Sequence, residues 1–221
     1  MFIITIQNQF HENANQEIAL AQAKYMKNKF AFYGIKSPLR RELQKPFFVS
    51  KYLPKKIELE LIVKELWLKP QRELQYFTQE LVKKYTNQFE KKDIELFEFM
   101  IVNKSWWDTI DFISVNLVGT YFQMYPEQIA IYTKKWLESG NIWLQRSILL
   151  FQLKYKQQLD TERLSYIINN SLDTKEFFIH KAIGWILREY GKTNPTWVLE
   201  FVAKTKLSNL SKREATRLLV K

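Results

Sequence analysis

A chain of 221 residues with 34 Lys+Arg against 23 Asp+Glu carries a formal charge of +11 and has no cysteine. Counting alone excludes disulfide stapling, Cys-based zinc sites, thiol nucleophiles and iron–sulfur clusters. With only two histidines, an all-protein zinc site lacks donors, so no metal and no cofactor is expected. The cationic excess points instead to a polyanionic partner.

The opening run MFIITIQNQFHENANQ has no basic stretch ahead of its apolar residues and no small-residue cleavage site, so it does not read as an export signal. No uncharged stretch approaches the roughly 20 apolar residues of a membrane span. The expectation is a cytoplasmic protein (bacterial cytoplasm or nucleoid) with no membrane partner.

Only 5 Gly and 6 Pro occur, whereas Leu, Ile, Lys, Glu and Gln are plentiful, a balance that favours helices over turn-dense strands. From Glu12 onward apolar residues recur at spacings of three and four, as in Ile57, Leu61, Ile62 and Leu66, or Trp143, Leu144, Ile148, Leu149 and Phe151. This pattern predicts an all-α chain of about a dozen amphipathic helices, each about 10 to 16 residues long. The charge excess is +5 over residues 1–110 and +6 over 111–221, and no Gly/Ser linker intervenes, so a single domain over 1–221 is expected.

A repeat can be extracted from the helices. Gln71-Arg72 follows Trp67, Gln145-Arg146 follows Trp143, and His180-Lys181 follows Phe177-Phe178, each opening an apolar helix. With Thr109 inserted as a missing member, the spacings are 37, 37 and 35, close to a HEAT-type helix pair. Stacked pairs present one helix each to a concave surface, which recurring basic side chains would line. The unit without its basic member reads Ser105-Trp106-Trp107-Asp108-Thr109-Ile110-Asp111, and its difference makes it the candidate site.

On a helix Trp107 and Asp111 project one turn apart from one face, with Asp108 close by. In KAIGWILREY, Lys181, Trp185 and Arg188 form a second stripe of cation, ring and cation. Gly184 costs about 1 kcal/mol relative to Ala in a helix, which points to a close approach there, of a ligand or of another helix. Each piece also has an ordinary structural explanation: a core Trp, an Asp cap, solvated cations.

The segments AKYMKNKFAFYGI, KSWWDTIDFI, NIWLQRSILLFQLKYK, KEFFIHKAIGWILREYGKTNP and LSKREA, in that order, resemble the AlkD-type DNA alkylation repair glycosylases over nearly the whole chain. The resemblance implies a right-handed superhelical solenoid of HEAT-like helix pairs with a concave basic DNA-binding face. It implies hydrolysis of the N-glycosidic bond of N3- and N7-alkylated purines in double-stranded DNA, leaving an abasic site, as in base excision repair. By the same resemblance Trp107, Asp111 and Trp185 are the catalytic trio and Arg146 stands at the DNA. Tyr25, Lys154 and Arg188 fall at backbone-contact positions, and Lys181 joins them through the helix stripe. A non-catalytic HEAT-like module binding damaged or branched DNA is the alternative, and a protein-binding scaffold a third reading. With no heptad seam, a monomer without an obligate protein partner is the default.

Overall fold

A computed structural model of the chain describes residues 1–219. The all-α expectation holds: among the described residues no strand forms, and the one isolated bridge pairs Ala31 with Gln71. The chain divides into two compact units, Met1–Glu90 and Lys91–Lys221.

The first unit holds α1 (Phe2–Glu12), α2 (Gln16–Tyr25), α3 (Ser37–Gln44), α4 (Lys56–Leu68) and α5 (Arg72–Lys83). Helix begins at Phe2, earlier than the periodicity suggested, because burial of Ile6 and Phe10 overrides the weak helix propensity of the β-branched run Ile3-Ile4-Thr5-Ile6. In α4 the core takes Leu59, Val63, Leu66 and Trp67. Ile57 and Leu61, read from sequence as part of the inward stripe, are 89% and 73% exposed. The bulky Trp67 sets which face turns inward, and its stripe is rotated from the one chosen by spacing alone.

Glu73 of α5 is buried, and its carboxylate accepts backbone N–H bonds from Tyr33, Gly34 and Ile35 at 2.9–3.1 Å. Buried loop N–H groups need such partners. Its neighbour Arg72 is wholly buried, with the guanidinium 3.9 Å from the Phe30 ring centroid. The first basic member of the repeat is therefore interior and lines no surface.

The second unit holds α6 (Asp93–Val102), α7 (Trp107–Ile113), α8 (Gly119–Met124), α9 (Gln128–Glu138), α10 (Ile142–Leu150), α11 (Thr161–Asn169), α12 (Phe177–Tyr190), α13 (Pro195–Lys204) and α14 (Asn209–Thr216). Helices α7 and α8 are joined without a break by a π turn at Ser114–Val118. There Ser114 Oγ donates to the Ile110 carbonyl at 2.6 Å and meets Ser147 Oγ of α10 at 3.0 Å. Wide turns of this kind are often found beside functional sites.

Helix α10 is the centre of this unit. It packs against α6, α7, α9, α11 and α12, and Leu144, Arg146, Ser147, Ile148, Leu149 and Leu150 are all buried. A helix enclosed on most sides can keep an arginine only if its donors are satisfied. No helix of the described residues is long and apolar enough to cross a membrane.

Candidate active site

Four helices of the second unit, α7, α10, α12 and α14, converge on a pocket of about 300 Å³ lined by Trp107, Asp111, Arg146, Phe177, Phe178, Lys181, Trp185, Arg188 and Glu214. Helix α7 supplies Trp107 and Asp111 one turn apart, and its start is fixed by Trp106, an extended residue at the N-cap. The Trp106 ring packs against Trp143 of α10 at 5.6 Å and Phe178 of α12 at 5.1 Å, which brings the starts of α7, α10 and α12 together. Asp108 lies in the first turn of α7, where a carboxylate is favoured by the helix dipole.

Arg146 is 5% exposed and reaches Asp111 from α10 with two parallel bonds, Nε to Oδ1 at 2.7 Å and Nη2 to Oδ2 at 3.0 Å. Its Nη1 donates to the Phe178 carbonyl at 2.5 Å. This fork-to-fork geometry fixes the carboxylate in plane as well as in charge. Burial pushes the Asp111 carboxyl above its ordinary value of 3.8, the hydrogen bond and charge of Arg146 pull it back, and Asp108 adds to the rise.

Across the pocket, Glu214 of α14 is salt-bridged to both cations of the α12 stripe, at 3.0 Å from Lys181 Nζ and 2.5 Å from Arg188 Nη1. The bond from Lys181, helped by Arg188 and opposed by desolvation, holds the Glu214 carboxyl below its ordinary value of 4.5.

The pocket thus gathers six of the residues singled out from sequence: Trp107, Asp111, Arg146, Lys181, Trp185 and Arg188. Lys154 lies outside it, exposed, with Nζ 3.2 Å from Asn116 Oδ1. Tyr25 belongs to the first unit, where it is 70% exposed on the rim of a cleft of about 700 Å³ between α2 and α3. Two pocket features escaped notice as site residues. Glu214 sits in the LSKREA segment, far in sequence from Asp111 and Trp107, and no spacing joins them; Phe178 heads α12 two turns before Trp185, and that helical spacing was the signal that could have added it to the stripe.

A sequence model of the DNA alkylation repair enzyme family matches residues 6–219. The chain belongs to the DNA alkylation repair enzyme family. Among solved structures, a predicted DNA alkylation repair enzyme from Enterococcus faecalis is similar to it at 32% identity and a TM-score of 0.87, over 94% of this chain and 97% of that one. No curated protein is a significant match. In this member of the DNA alkylation repair enzyme family, the pocket brings together cations, aromatic rings and a carboxylate held by Arg146.

Proposed function

We propose that the chain is a monofunctional DNA glycosylase that hydrolyses the N-glycosidic bond of positively charged N3- and N7-alkylated purines in double-stranded DNA, leaving an abasic site. The observation that carries this reading is one pocket in which Asp111, held by a buried arginine, shares the walls with the indoles of Trp107 and Trp185.

An alkylated purine with a formal positive charge is already a good leaving group. Breaking its bond to the sugar needs no proton donor, and neither carboxylate of the pocket is placed to be one. Asp111 is engaged as the anion of an arginine pair, and Glu214 is held ionised by two cations. This contrasts with the acid-plus-base pair of glycoside hydrolases. As the bond stretches, positive charge grows on the deoxyribose. A preorganised anion stabilises that charge most when water is scarce and the anion need not move. Asp111 takes that role and also accepts a hydrogen bond from the attacking water. The two indole faces favour the same cation by about 0.5 to 2 kcal/mol each.

Arg146 acts on this reading through Asp111, since its donors face the carboxylate and a backbone carbonyl rather than the open pocket. On this reading it positions Asp111, whereas the resemblance implied a place at the DNA for it. Lys181, Arg188, Lys154 and Tyr25 remain the candidates for the DNA backbone, which supplies affinity without sequence preference.

Asp111→Asn tests the proposal, because the amide keeps an acceptor for Arg146 while removing the charge. Release of N7-methylguanine from a methylated duplex, followed by chromatography, should fall at least about 100-fold, with duplex binding nearly intact. Full release in the variant would remove Asp111 from the mechanism. Wild-type protein that binds the duplex yet frees no base would make the chain a binding module.

A further inference from the structure

An anion at a surface that receives a polyanion opposes binding, so the placing of Glu214 needs an account. Helix α14 is seated on α12 at the one residue without a side chain: a Cβ at Gly184 would lie 2.5 Å from Glu214 Cβ and 3.1 Å from the Ser211 carbonyl. Ser208 caps α14 by accepting from Ser211 N–H at 3.1 Å, and Ser211 Oγ donates to the His180 carbonyl of α12 at 3.0 Å. The backbone is thereby docked where the Glu214 side chain falls between Lys181 and Arg188, two helical turns apart.

One carboxylate engages both cations, and it is less exposed than either: 13% for its side chain, against 38% for Lys181 and 23% for Arg188. The anion is the more enclosed partner of each pair. The trio carries a net charge of +1 where the α12 stripe alone would carry +2.

We propose that Glu214 is a positioning residue, a fixed counter-charge that holds Lys181 and Arg188 as a pair and that an arriving phosphate must compete with, so that it limits how tightly undamaged duplex is held. The inference rests on the DNA-facing reading of this pocket. Its physical content is a balance: the clamp orders two long side chains ahead of binding, while its charge cancels one of the two phosphate-neutralising units they offer. Weak retention of undamaged duplex leaves the protein free to move on to alkylated sites.

Equilibrium binding of the full chain to an undamaged, labelled duplex at several KCl concentrations, read by fluorescence anisotropy, tests this. Glu214→Gln should bind about fivefold tighter, the factor one unit charge contributes at close range in water, and its slope of log K against log[salt] should steepen by about 0.9. Arg188→Gln should loosen binding and flatten the slope by a similar amount. The double variant, whose net charge equals that of the wild type, should return to the wild-type slope.

A Glu214→Gln protein that binds more weakly, or with unchanged slope, makes Glu214 a structural strut and overturns the proposal. Should that single variant fail to fold, the double variant decides: no recovery relative to Arg188→Gln overturns it equally. Wild type with no affinity for duplex would defeat the DNA reading itself. Wild type that binds and frees alkylated bases, paired with an untightened Glu214→Gln, defeats only the counter-charge.

Discussion

At Asp111, burial pushes the carboxyl upward and Arg146 pulls it back, so the pair sets the pH range over which an anion is available. The proposed reaction needs the ionised form, so base release should fall as pH drops through a value above the ordinary 3.8. Removing the guanidinium removes the downward pull. Arg146→Gln should therefore show its acid limb at higher pH than wild type in a single-turnover profile, with Arg146→Lys between the two because it keeps charge but loses the fork. An acid limb that stays put or moves down would separate Arg146 from Asp111's ionisation. Stability follows the opposite sense. A carboxyl whose folded value is raised binds its proton more tightly in the folded state, so its contribution is lost as pH rises from 3.8 through that raised value. Breaking a buried pair from one side costs about 3 to 5 kcal/mol. In Arg146→Gln that loss should be fullest near neutrality and softened in acid, where Asp111 is protonated. None of this was legible from residue 146 alone: a charged residue among leucines reads as solvent-facing, and its partner lies 35 residues upstream.

Among the elements, α12 was the most legible, since its cation–ring–cation stripe at 181, 185 and 188 does line the pocket. Helix α7 was also readable, because Trp107 and Asp111 need only helical spacing to share a face. What spacing could not give was orientation. The stripe of Ile57 and Leu61 lies outward because Trp67 occupies the interior, and apolar residues on two faces of α4 offer periodicity no means of choosing. Nor could it give docking partners: Gly184 pointed to a close approach, and the partner is α14. Gly184→Ala tests how close that approach must be. Alanine gains about 1 kcal/mol of helix propensity, while a Cβ at 2.5 Å from Glu214 Cβ and 3.1 Å from the Ser211 carbonyl overpacks the seam at a cost of about 1 to 3 kcal/mol. The overpacking should win by about 1 kcal/mol, lowering Tm by about 2–4 °C in a thermal melt. A rise in Tm would show that α14 yields without loss and that the glycine is not needed for the seam.

For the whole molecule, composition settled the fold class because so few Gly and Pro leave little but helix, whereas the division at Glu90 is invisible to it: Phe89-Glu90-Lys91-Lys92 has no linker character. The excess of +11 raises a quantitative choice between a diffuse field and a few local contacts. If all eleven excess charges neutralised phosphates, the slope of log K against log[salt] would approach −10. If the residues of the proposed function carry the DNA contact, the figure is far smaller. Of the basic residues singled out for DNA, Arg72's counterpart Arg146 is interior and bonded to Asp111, and the Lys181–Glu214–Arg188 trio offers one net unit. Lys154, exposed, offers another. Two units give a slope near −2, so raising KCl fourfold should weaken binding of undamaged duplex only about 12-fold. Titrations across that range discriminate sharply, because a slope near −10 would mean a loss of about a million-fold and would place affinity in the spread charge of the body rather than in the residues beside the pocket.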